Sequence, residues 1–315
     1  MNKIAISLGD INGISPEITI KALNLIDIEP EKVVIFGSKV IFDYYKTYLG
    51  LSLNNNYEIA DIPLSEGDIA IGKDTKESGE FAFQSLKAAI DYAKQGKAKA
   101  IVTAPISKNA INLAGYHFSG QTEVLEEYLA LDGQKAEMLF VSPKVKVLLL
   151  TRHMSLSDAI KSIKKEFIKE KVQKLSLSLC QQFGIKSPKI ALCAINPHAG
   201  ENGLFGSEEQ QEIIPAVSEL RNEGFYVSEP MPSDTLFQSV ISGKMKTDCI
   251  VAMYHDQGLI PLKLLGFDDL VNATIGLDVL RTSPAHGTAF DIAGKNIANP
   301  NSMVSAIKLA LKSIE

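Results

Sequence analysis

Three histidines occupy the same kind of position in the chain, directly or a few residues after a short apolar run. They are His153, His198 and His255, in the segments "TRHMSLSD", "NPHAGENGLFG" and "YHDQG". A single histidine in such a place is usually a hydrogen-bonded structural residue. Three would converge if the runs are neighbouring parallel strands, because the carboxyl ends of such strands meet at one sheet edge. The pattern therefore predicts a divalent metal site with an open coordination position, with zinc as the predicted ion and cobalt or magnesium as alternatives.

Acidic and basic side chains near these histidines could move protons. Asp256 follows His255 directly, and Asp234 lies in "MPSDTLF", ahead of a predicted helix. Asp234 is either an N-cap of that helix or a group that orients a histidine or shuttles a proton. Lys263 stands among apolar residues in "GLIPLKLLG", where its amine either snorkels to water or is desolvated enough to carry protons. A site in which one histidine is a general base and the others bind phosphate stays open.

Short apolar runs alternate with amphipathic stretches along the whole chain. Helical periodicity marks residues 79–96 and 164–184, each closed by a glycine. The apolar runs are continuous, which is typical of strands buried on both faces of a parallel sheet. The predicted strands are "KIAISLGD", "KVVIFGS", "KAIVTAP", "VKVLLLT", "KIALCAI", "DCIVAMY" and "LVNATIGL". This alternation predicts an α/β fold with largely parallel sheets.

The composition is that of an ordinary globular protein with room for two domains. The 315 residues are 45% hydrophobic and 22% charged, with a formal net charge of -5. The basic residues are scattered, so nucleic acid is not an expected partner. No apolar run approaches the ~18 residues that cross a bilayer, and no signal-peptide pattern opens the chain. We therefore expect a cytoplasmic protein without a membrane partner.

The segment "AHGTAFDIAGKNIANPNS", residues 285–302, is too polar for a buried strand and too rich in glycine, proline and asparagine for a helix. No G-x-G-x-x-G motif follows a predicted strand, so a conventional Rossmann site is not expected. The segment resembles the adenosine-binding loop of the isocitrate and isopropylmalate dehydrogenases. That resemblance implies an isopropylmalate-dehydrogenase-like fold of two α/β/α lobes and a NAD or NADP pocket lined by His286, Gly287, Asp291 and Asn299. Alternatively, its glycines and asparagines only turn the chain.

Further motifs, in order along nearly the whole chain, resemble those of the 4-hydroxythreonine-4-phosphate dehydrogenase family of pyridoxal phosphate biosynthesis. They are "SLGDINGISPE", "TAPISK", "FSGQTE", "NPHAGENG", "EPMPSDTLF", "AMYHDQGLIPLK" and "RTSPAHGTA". The resemblance implies a homodimer with its active site at the subunit interface, and a metal held by the three histidines drawn from both protomers. We expect a nucleotide-side lobe of residues 1–125 plus 273–315, and a metal, substrate and dimerisation lobe of residues 126–272. Substrate contacts are implied for Gln121, Thr122, Lys263, Asn272 and Arg281.

The implied reaction is NAD(P)-dependent oxidation of 4-phosphooxy-L-threonine, followed by decarboxylation to 3-amino-2-oxopropyl phosphate. Lys263, with Asp234 or Asp256, is the predicted group for proton removal and return. Arg281 offers a planar fork for the carboxylate or phosphate of the substrate. Its alternative role is a structural ion pair with an acid of the chain.

One position departs from the family pattern. Members usually have Gly-His-Thr-Glu where this chain has "GQTE", so Gln121 can donate a hydrogen bond to the substrate but carries no charge. That difference keeps a second substrate class open, namely related four-carbon acid phosphates such as threonate or erythronate 4-phosphate. A third hypothesis is a metal-dependent phosphatase or a phosphate-ligand binding protein, in which residues 285–302 bind no nucleotide.

Overall fold

The chain divides into two compact units. The computed structural model describes residues 2–131, 133–266 and 268–315. The terminal unit comprises the residues up to Ala136 together with Val271–Glu315, and the central unit is Glu137–Leu270. The unit boundaries thus lie at 136/137 and 270/271, where the sequence-based expectation placed them at 125/126 and 272/273.

Strands and helices alternate through both units. The strands are β1 (Ile4–Ser7), β2 (Val33–Gly37), β3 (Glu58–Asp61), β4 (Ala100–Thr103), β5 (Glu137–Val141), β6 (Lys146–Leu149), β7 (Lys189–Cys193), β8 (Tyr226–Met231), β9 (Cys249–Ala252), β10 (Val271–Ile275) and β11 (Leu280–Pro284). The helices are α1 (Ser15–Leu25), α2 (Lys39–Leu49), α3 (Lys76–Lys94), α4 (Lys108–Leu113), α5 (Gln121–Leu129), α6 (Leu156–Ser162), α7 (Lys165–Phe183), α8 (Ile214–Asn222), α9 (Ser233–Ile241), α10 (His255–Leu265) and α11 (Asn301–Lys312). The predicted α/β class with largely parallel sheets is confirmed.

Strands of the terminal unit follow the order β3-β2-β1-β4-β11-β10, and all neighbours are parallel except β10 and β11. Successive residues of a strand face opposite sides of the sheet. Ala5 and Ile101 accordingly pack in one hydrophobic cluster with residues of α3. Thr282, whose neighbour Arg281 pairs with Ile101, hydrogen-bonds to Ala306 of α11. This sheet is therefore covered by helices on both faces.

In the central unit the strand order is β5-β6-β9-β7-β8, with β5 antiparallel to β6 and the rest parallel. Helix α10 packs against β6 and β9, and α8 packs against β8 and α7. The neighbours β6, β9 and β7 are the strands that precede the three histidines. Their carboxyl ends lie at one edge of the sheet, as the sequence pattern required.

Capping residues mark the start of α3 and the end of α7. The Thr75 side chain accepts a hydrogen bond from Ser78 N and caps α3. Helix α7 ends at Gly184, whose φ of 68° is the left-handed conformation that favours glycine. Both helices match the segments predicted from periodicity. No helix in the described ranges is long and apolar enough to cross a membrane.

All seven predicted strands are present, as β1, β2, β4, β6, β7, β9 and β10. Four further strands were not predicted, although β5 contains the apolar run "MLFV". Strand β3 has no fully buried residue, and β8, at the edge of its sheet, buries Val227 and Pro230 among exposed and half-buried residues. Strand β11 is fully buried but carries Arg281 and Ser283, so its sequence "LRTSP" resembles a loop.

Candidate active site

Two of the three histidines lie together in the central unit. The ring centroids of His153 and His255 are 5.7 Å apart, and both rings line a cavity of about 320 Å³. The remaining lining residues are Arg152, Met154, Leu156, Ala159, Tyr254 and Asp256. The pair follows from topology, because β6 and β9 are adjacent parallel strands and the two residues follow their carboxyl ends.

A carboxylate orients one of these rings. Nδ1 of His255 and Oδ1 of Asp256 are 2.7 Å apart, and an ionised carboxylate can only accept, so Nδ1–H donates. That bond leaves Nε2 as the nitrogen available to a metal or a substrate proton. Asp256 was predicted as a proton-transfer group, and the structure brings it to the histidine pair.

His198 lies on an unusual turn after β7. The backbone of His198, Ala199, Gly200, Glu201 and Asn202 has φ angles of 53°, 54°, 75°, 42° and 54°. Left-handed conformations are unfavourable for residues with a Cβ, by roughly 1–2 kcal/mol each. A run of five must therefore be held by surrounding contacts.

Glu209 supplies those contacts. Its side chain is only 1% exposed, and Oε1 accepts hydrogen bonds of 2.8 Å from the backbone N–H groups of Ile195 and Asn196. Oε2 accepts a further bond from the Asn196 side chain. A Cβ on Gly200 would approach Oε2 to 2.8 Å, so glycine is needed there. The sequence analysis missed Glu209 because nothing in "GSEEQQ" distinguishes it from a surface acid.

The predicted metal centre is not assembled within one chain. His198 does not join His153 and His255, and the described residues contain no group of three His, Cys, Asp or Glu side chains that could hold a metal. Two imidazoles, of which the His255 ring has an oriented Nε2, are donors that suit zinc or cobalt better than magnesium, but they are fewer than the three protein ligands of a catalytic site. One chain thus fits part of such a centre.

Asp234 and Lys263 are exposed. Helix α9 begins at Ser233 with Pro232 as its N-cap, so Asp234 is the second helical residue and its interpretation as an N-cap is wrong. Lys263 lies in the last turn of α10 with its side chain towards solvent. The desolvated environment considered for its amine is therefore wrong for the single chain.

A buried arginine forms a second centre, in the terminal unit. Arg281 of β11 is 3% exposed and donates through Nε to Thr103 Oγ1 at 2.8 Å, through Nη1 to Thr274 Oγ1 at 3.3 Å, and through Nη2 to Gln121 Oε1. Burial lowers the pKa of Arg281 to about 9. The charge of Glu123, in the first turn of α5, opposes this lowering of the pKa. Across the described parts of the chain Arg281 forms no ion pair with a carboxylate, so the alternative of a structural ion pair is wrong. A buried guanidinium whose hydrogen bonds go to neutral acceptors is suited to receive an anion.

The amino terminus of α5 lies at the same guanidinium. Gln121 is the first residue of α5, and the N-cap is Gly120, which provides no side-chain cap. The first backbone N–H groups of a helix have no partner within it and attract anions. Thr122, the next residue, is 6% exposed. Helix terminus and guanidinium together form what we call the anion centre.

Gln121 differs from its expected role as a substrate donor. Its Nε2 donates to the backbone oxygen of Ala104 at 2.9 Å, while its Oε1 accepts from Arg281.

Asn272 lies two residues before Thr274, which pairs with Arg281, and thus on the same face of the β10–β11 ribbon. Its Oδ1 is buried and has no hydrogen-bond partner in the residues described. That oxygen is an acceptor suited to a donor of a ligand.

The predicted nucleotide loop is anchored on α1. The N–H of Ile14 donates to Thr288 O at 2.9 Å, and the N–H of Ala298 donates to Oε1 of Glu17 at 2.8 Å. Lys21 also pairs with Glu17 and donates to the loop oxygen of Asn296. Glu17 is fully buried. The sequence analysis missed this anchor because Glu17 and the loop are about 280 positions apart.

The four predicted nucleotide-contact residues lie on this loop. Gly287, Asp291 and Asn299 are exposed, and Asn299 Oδ1 accepts from Asn301 N at the start of α11. His286 Nε2 is buried and makes no hydrogen bond to the described part of the chain. The loop thus presents one unsatisfied imidazole nitrogen beside accessible polar groups.

Comparison with known proteins identifies the family. A sequence model described as pyridoxal phosphate biosynthetic protein PdxA matches residues 9–310. The chain belongs to this family. Among curated PdxA relatives, the 4-hydroxythreonine-4-phosphate dehydrogenase of Sulfurihydrogenibium sp. is 42% identical over 99% of this chain and 98% of its own. The D-threonate 4-phosphate dehydrogenase of Cupriavidus necator is 38% identical over 97% and 95%, respectively.

Solved structures agree with the PdxA assignment. The crystal structure of 4-hydroxythreonine-4-phosphate dehydrogenase from Klebsiella pneumoniae superposes with a TM-score of 0.88 at 36% identity, covering 100% of both chains. A β-decarboxylating dehydrogenase from Thermococcus kodakarensis reaches a TM-score of 0.50 at 16% identity, covering 98% of this chain and 82% of its own, which shows a shared fold alone. The isopropylmalate-dehydrogenase-like fold is thereby confirmed.

Proposed function

We propose that this protein is a 4-hydroxythreonine-4-phosphate dehydrogenase of pyridoxal phosphate biosynthesis. It oxidises 4-phosphooxy-L-threonine with NAD or NADP, and decarboxylation yields 3-amino-2-oxopropyl phosphate. The observation that carries the proposal is the anion centre, where Arg281 is buried at the amino terminus of α5 and its hydrogen bonds go to neutral acceptors. Membership of the PdxA family and the named relatives support the choice of reaction.

The anion centre binds the charged end of the substrate. Three N–H groups of Arg281 are used by neutral acceptors, which leaves one N–H on each terminal nitrogen for phosphate or carboxylate oxygens. Backbone N–H groups of Gln121 and Thr122 add donors. The orphaned Oδ1 of Asn272 suits the amine or hydroxyl of the same substrate. These groups hold the substrate in one orientation.

The nucleotide site lies on residues 285–302. NAD or NADP, when bound, would accept the hydride. His286, Gly287, Asp291 and Asn299 are the residues proposed to contact it. Their support is the anchored loop, in which Glu17 and Lys21 fix the backbone on α1 and one imidazole nitrogen of His286 lacks a partner among the residues described.

A divalent metal and a homodimer in the cytoplasm complete the proposal. His153 and His255 of one protomer would hold the ion with His198 of the second, since a single chain brings only the first two together. A metal bound there would polarise the secondary hydroxyl of the substrate and stabilise negative charge on its oxygen. The active site then requires two copies of the chain.

Proton transfer falls to the acids and the lysine. Asp256 accepts a hydrogen bond from Nδ1–H of His255. Its negative charge would stabilise the ring when Nε2 binds a proton. Lys263 and Asp234 are exposed in the single chain and are proposed to remove and return protons once substrate and the second protomer surround them.

A second candidate is D-threonate 4-phosphate dehydrogenase. The C. necator relative with that name is 38% identical to this chain over nearly its full length. Such a substrate shares the phosphate and the oxidised alcohol but carries a hydroxyl in place of the amine. The anion centre and nucleotide loop would serve both substrates, so the contacts of the amine or hydroxyl decide between them.

Turnover distinguishes the candidates. Purified protein with a divalent metal is assayed for reduced nicotinamide with 4-phosphooxy-L-threonine, 4-phospho-D-threonate and 4-phospho-D-erythronate, each with NAD and with NADP. We expect turnover on the amino acid and its loss on chelation. Turnover on the sugar acids alone would establish the second candidate. Absence of any turnover, together with absence of saturable nucleotide binding, would contradict both and favour a phosphatase or a phosphate-binding protein.

A further inference from the structure

The Gln121 side chain uses both ends of its amide inside the protein. Nε2 donates to the oxygen of Ala104, which follows β4, and Oε1 accepts from Nη2 of Arg281. The residue is only 8% exposed. Two hydrogen bonds of opposite polarity fix which end of the amide faces the guanidinium, because reversing it would place N–H against N–H and oxygen against oxygen.

Neutral groups from three elements surround the guanidinium. Thr103 ends β4, Thr274 lies in β10, and Gln121 begins α5. Each accepts one N–H of Arg281 and none of the three contributes a negative charge. The charge of Glu123, in the first turn of α5, raises the pKa of Arg281 but forms no ion pair with it in the described residues. The hydrogen-bonding needs of the cation are thus partly met, and two N–H groups stay available to an anion.

We propose that Gln121 is a positioning residue, which orients the Arg281 guanidinium for the anionic group of the substrate and preserves its net charge. The inference rests on the proposed function in that the anion is taken to be the phosphate or carboxylate of a phosphorylated acid. Gln121 acts through Arg281, and its own side chain gives the substrate no anchoring charge. Substrate affinity therefore depends on its amide even though that amide is engaged within the protein.

Residues of nearly equal shape at position 121 separate this role from simple packing. Glutamate keeps an oxygen facing Arg281 and adds a charge that compensates the cation internally, so it competes with the ligand, but its second oxygen cannot donate to Ala104 O. Methionine keeps the length of the side chain and removes both hydrogen bonds. A purely structural role of Gln121 predicts that anion binding follows stability, so that the methionine variant, which loses both bonds, binds no better than the glutamate variant. The proposed role predicts the weaker anion binding in the glutamate variant.

The test compares wild-type protein with Gln121→Glu, Gln121→Met and the matched control Gln95→Glu, which makes the same charge change at an exposed position at the end of α3. Binding of inorganic phosphate is measured by calorimetry, stability by urea unfolding without ligand, and KM and kcat with the substrate that the wild type turns over. We expect Gln121→Glu to bind phosphate at least tenfold more weakly than the wild type and more weakly than Gln121→Met, whichever of the two variants is less stable. Its KM should rise by a similar factor while kcat changes less. Gln121→Met should weaken phosphate binding several-fold, and Gln95→Glu should match the wild type.

Several results would overturn the inference. They are phosphate binding by Gln121→Glu and Gln121→Met equal to that of the wild type, phosphate binding by Gln121→Glu no weaker than by Gln121→Met, and no phosphate binding to the wild type. If Gln121→Glu does not fold, unchanged phosphate binding by Gln121→Met still overturns it. Phosphate binding that depends on Gln121 in a protein without dehydrogenase turnover would support the inference while contradicting the proposed function. Dehydrogenase turnover with an unchanged KM in both variants would support the proposed function while contradicting the inference.

Discussion

Arg281 shows how one side chain's environment indicates its chemistry. A guanidinium buried among two threonines and a glutamine forms no ion pair in the described chain, although the charge of Glu123 raises its pKa. Burial of a charge without an ion pair is unfavourable by several kcal/mol in general. The two N–H groups left over support the proposal that Arg281 binds an anion.

Replacement of Arg281 by lysine tests the fork geometry separately from the charge. Arg281→Lys keeps a cation but loses the planar donors, so we expect KM for the phosphorylated substrate to rise about 10- to 100-fold with a smaller change in kcat. Arg221→Lys is a matched control, because Arg221 forms an exposed ion pair with Glu229 in the central unit. Steady-state kinetics provide the measurement. An unchanged KM in Arg281→Lys would show that charge alone suffices.

Asp10 gives the folded protein a pH dependence of its own. Burial raises the pKa of Asp10 to about 6, the nearby charge of Asp74 adds to the rise, and the hydrogen bond from Asn12 N opposes it. The folded state therefore binds more protons than the unfolded state between about pH 4 and pH 6. The free energy of unfolding should fall as pH rises through that window and level off above it.

Asp10→Asn removes this titration and keeps an oxygen for Asn12 N. We expect the decline between pH 4 and 6 to flatten, and the variant to gain stability at pH 7 by up to about 3 kcal/mol. Urea unfolding at a series of pH values measures the effect. Parallel pH profiles for the two proteins would show that Asp10 titrates alike in the folded and unfolded states.

The turn that carries His198 is an element held in an unfavourable conformation by one side chain. Five consecutive residues have left-handed backbone angles, and Glu209 accepts from the N–H groups at its entrance. Glu209 itself begins a wide helical turn, Glu209–Ile213, ahead of α8. The structure therefore stores strain at a predicted ligand and balances it with a buried carboxylate.

Removing Glu209 should release the turn. Glu209→Ala leaves two part-buried N–H groups without acceptors, and we expect a loss of about 2–4 kcal/mol in the free energy of unfolding. Hydrogen exchange of residues 195–206 should increase more than that of the α7 backbone. Glu208→Gln serves as the control, since Glu208 accepts from the Asn196 side chain whereas the N–H groups of Ile195 and Asn196 donate to Glu209. Equal protection of the turn in Glu209→Ala and wild type would contradict the anchoring role.

At the level of the assembled protein, the site proposed here needs two chains. One chain brings His153 and His255 within 5.7 Å, and His198 is not grouped with them. A metal centre with ligands from both protomers would make the active site depend on association. Dilution would separate the protomers, mixing of variants would change which histidines share a site, and chelation would remove the metal.

Mixing inactive variants tests the sharing directly. Random reassociation of His198→Ala with His255→Ala chains forms mixed dimers with one intact site, so we expect about a quarter of wild-type turnover. The control mixture of His153→Ala with His255→Ala should stay inactive, because those ligands come from the same chain. Turnover and bound metal, by elemental analysis, are both measured. No recovery in the first mixture would show that the three histidines do not bridge protomers.

Much of the architecture is encoded locally and could be predicted. Seven strands are continuous apolar runs, and in α3 and α7 the apolar residues recur every three to four positions, as in an amphipathic helix. The placement of histidines after β6, β7 and β9 also follows from the sequence, because parallel strands end at one edge. Strand β11 was not predicted, because Arg281 and Ser283 interrupt the apolar pattern.

The partners of the site residues were decided only by the tertiary structure. Gln121 meets Arg281 across 160 positions of sequence, and Thr103 meets it across 178. The sequence showed a glutamine able to donate and an arginine able to pair, whereas packing engaged the first within the protein and left the second without an ion pair in the described residues. Residue types are written in the chain, but which polar groups a buried side chain finds depends on long-range packing, and that packing determines whether its charge is compensated or available.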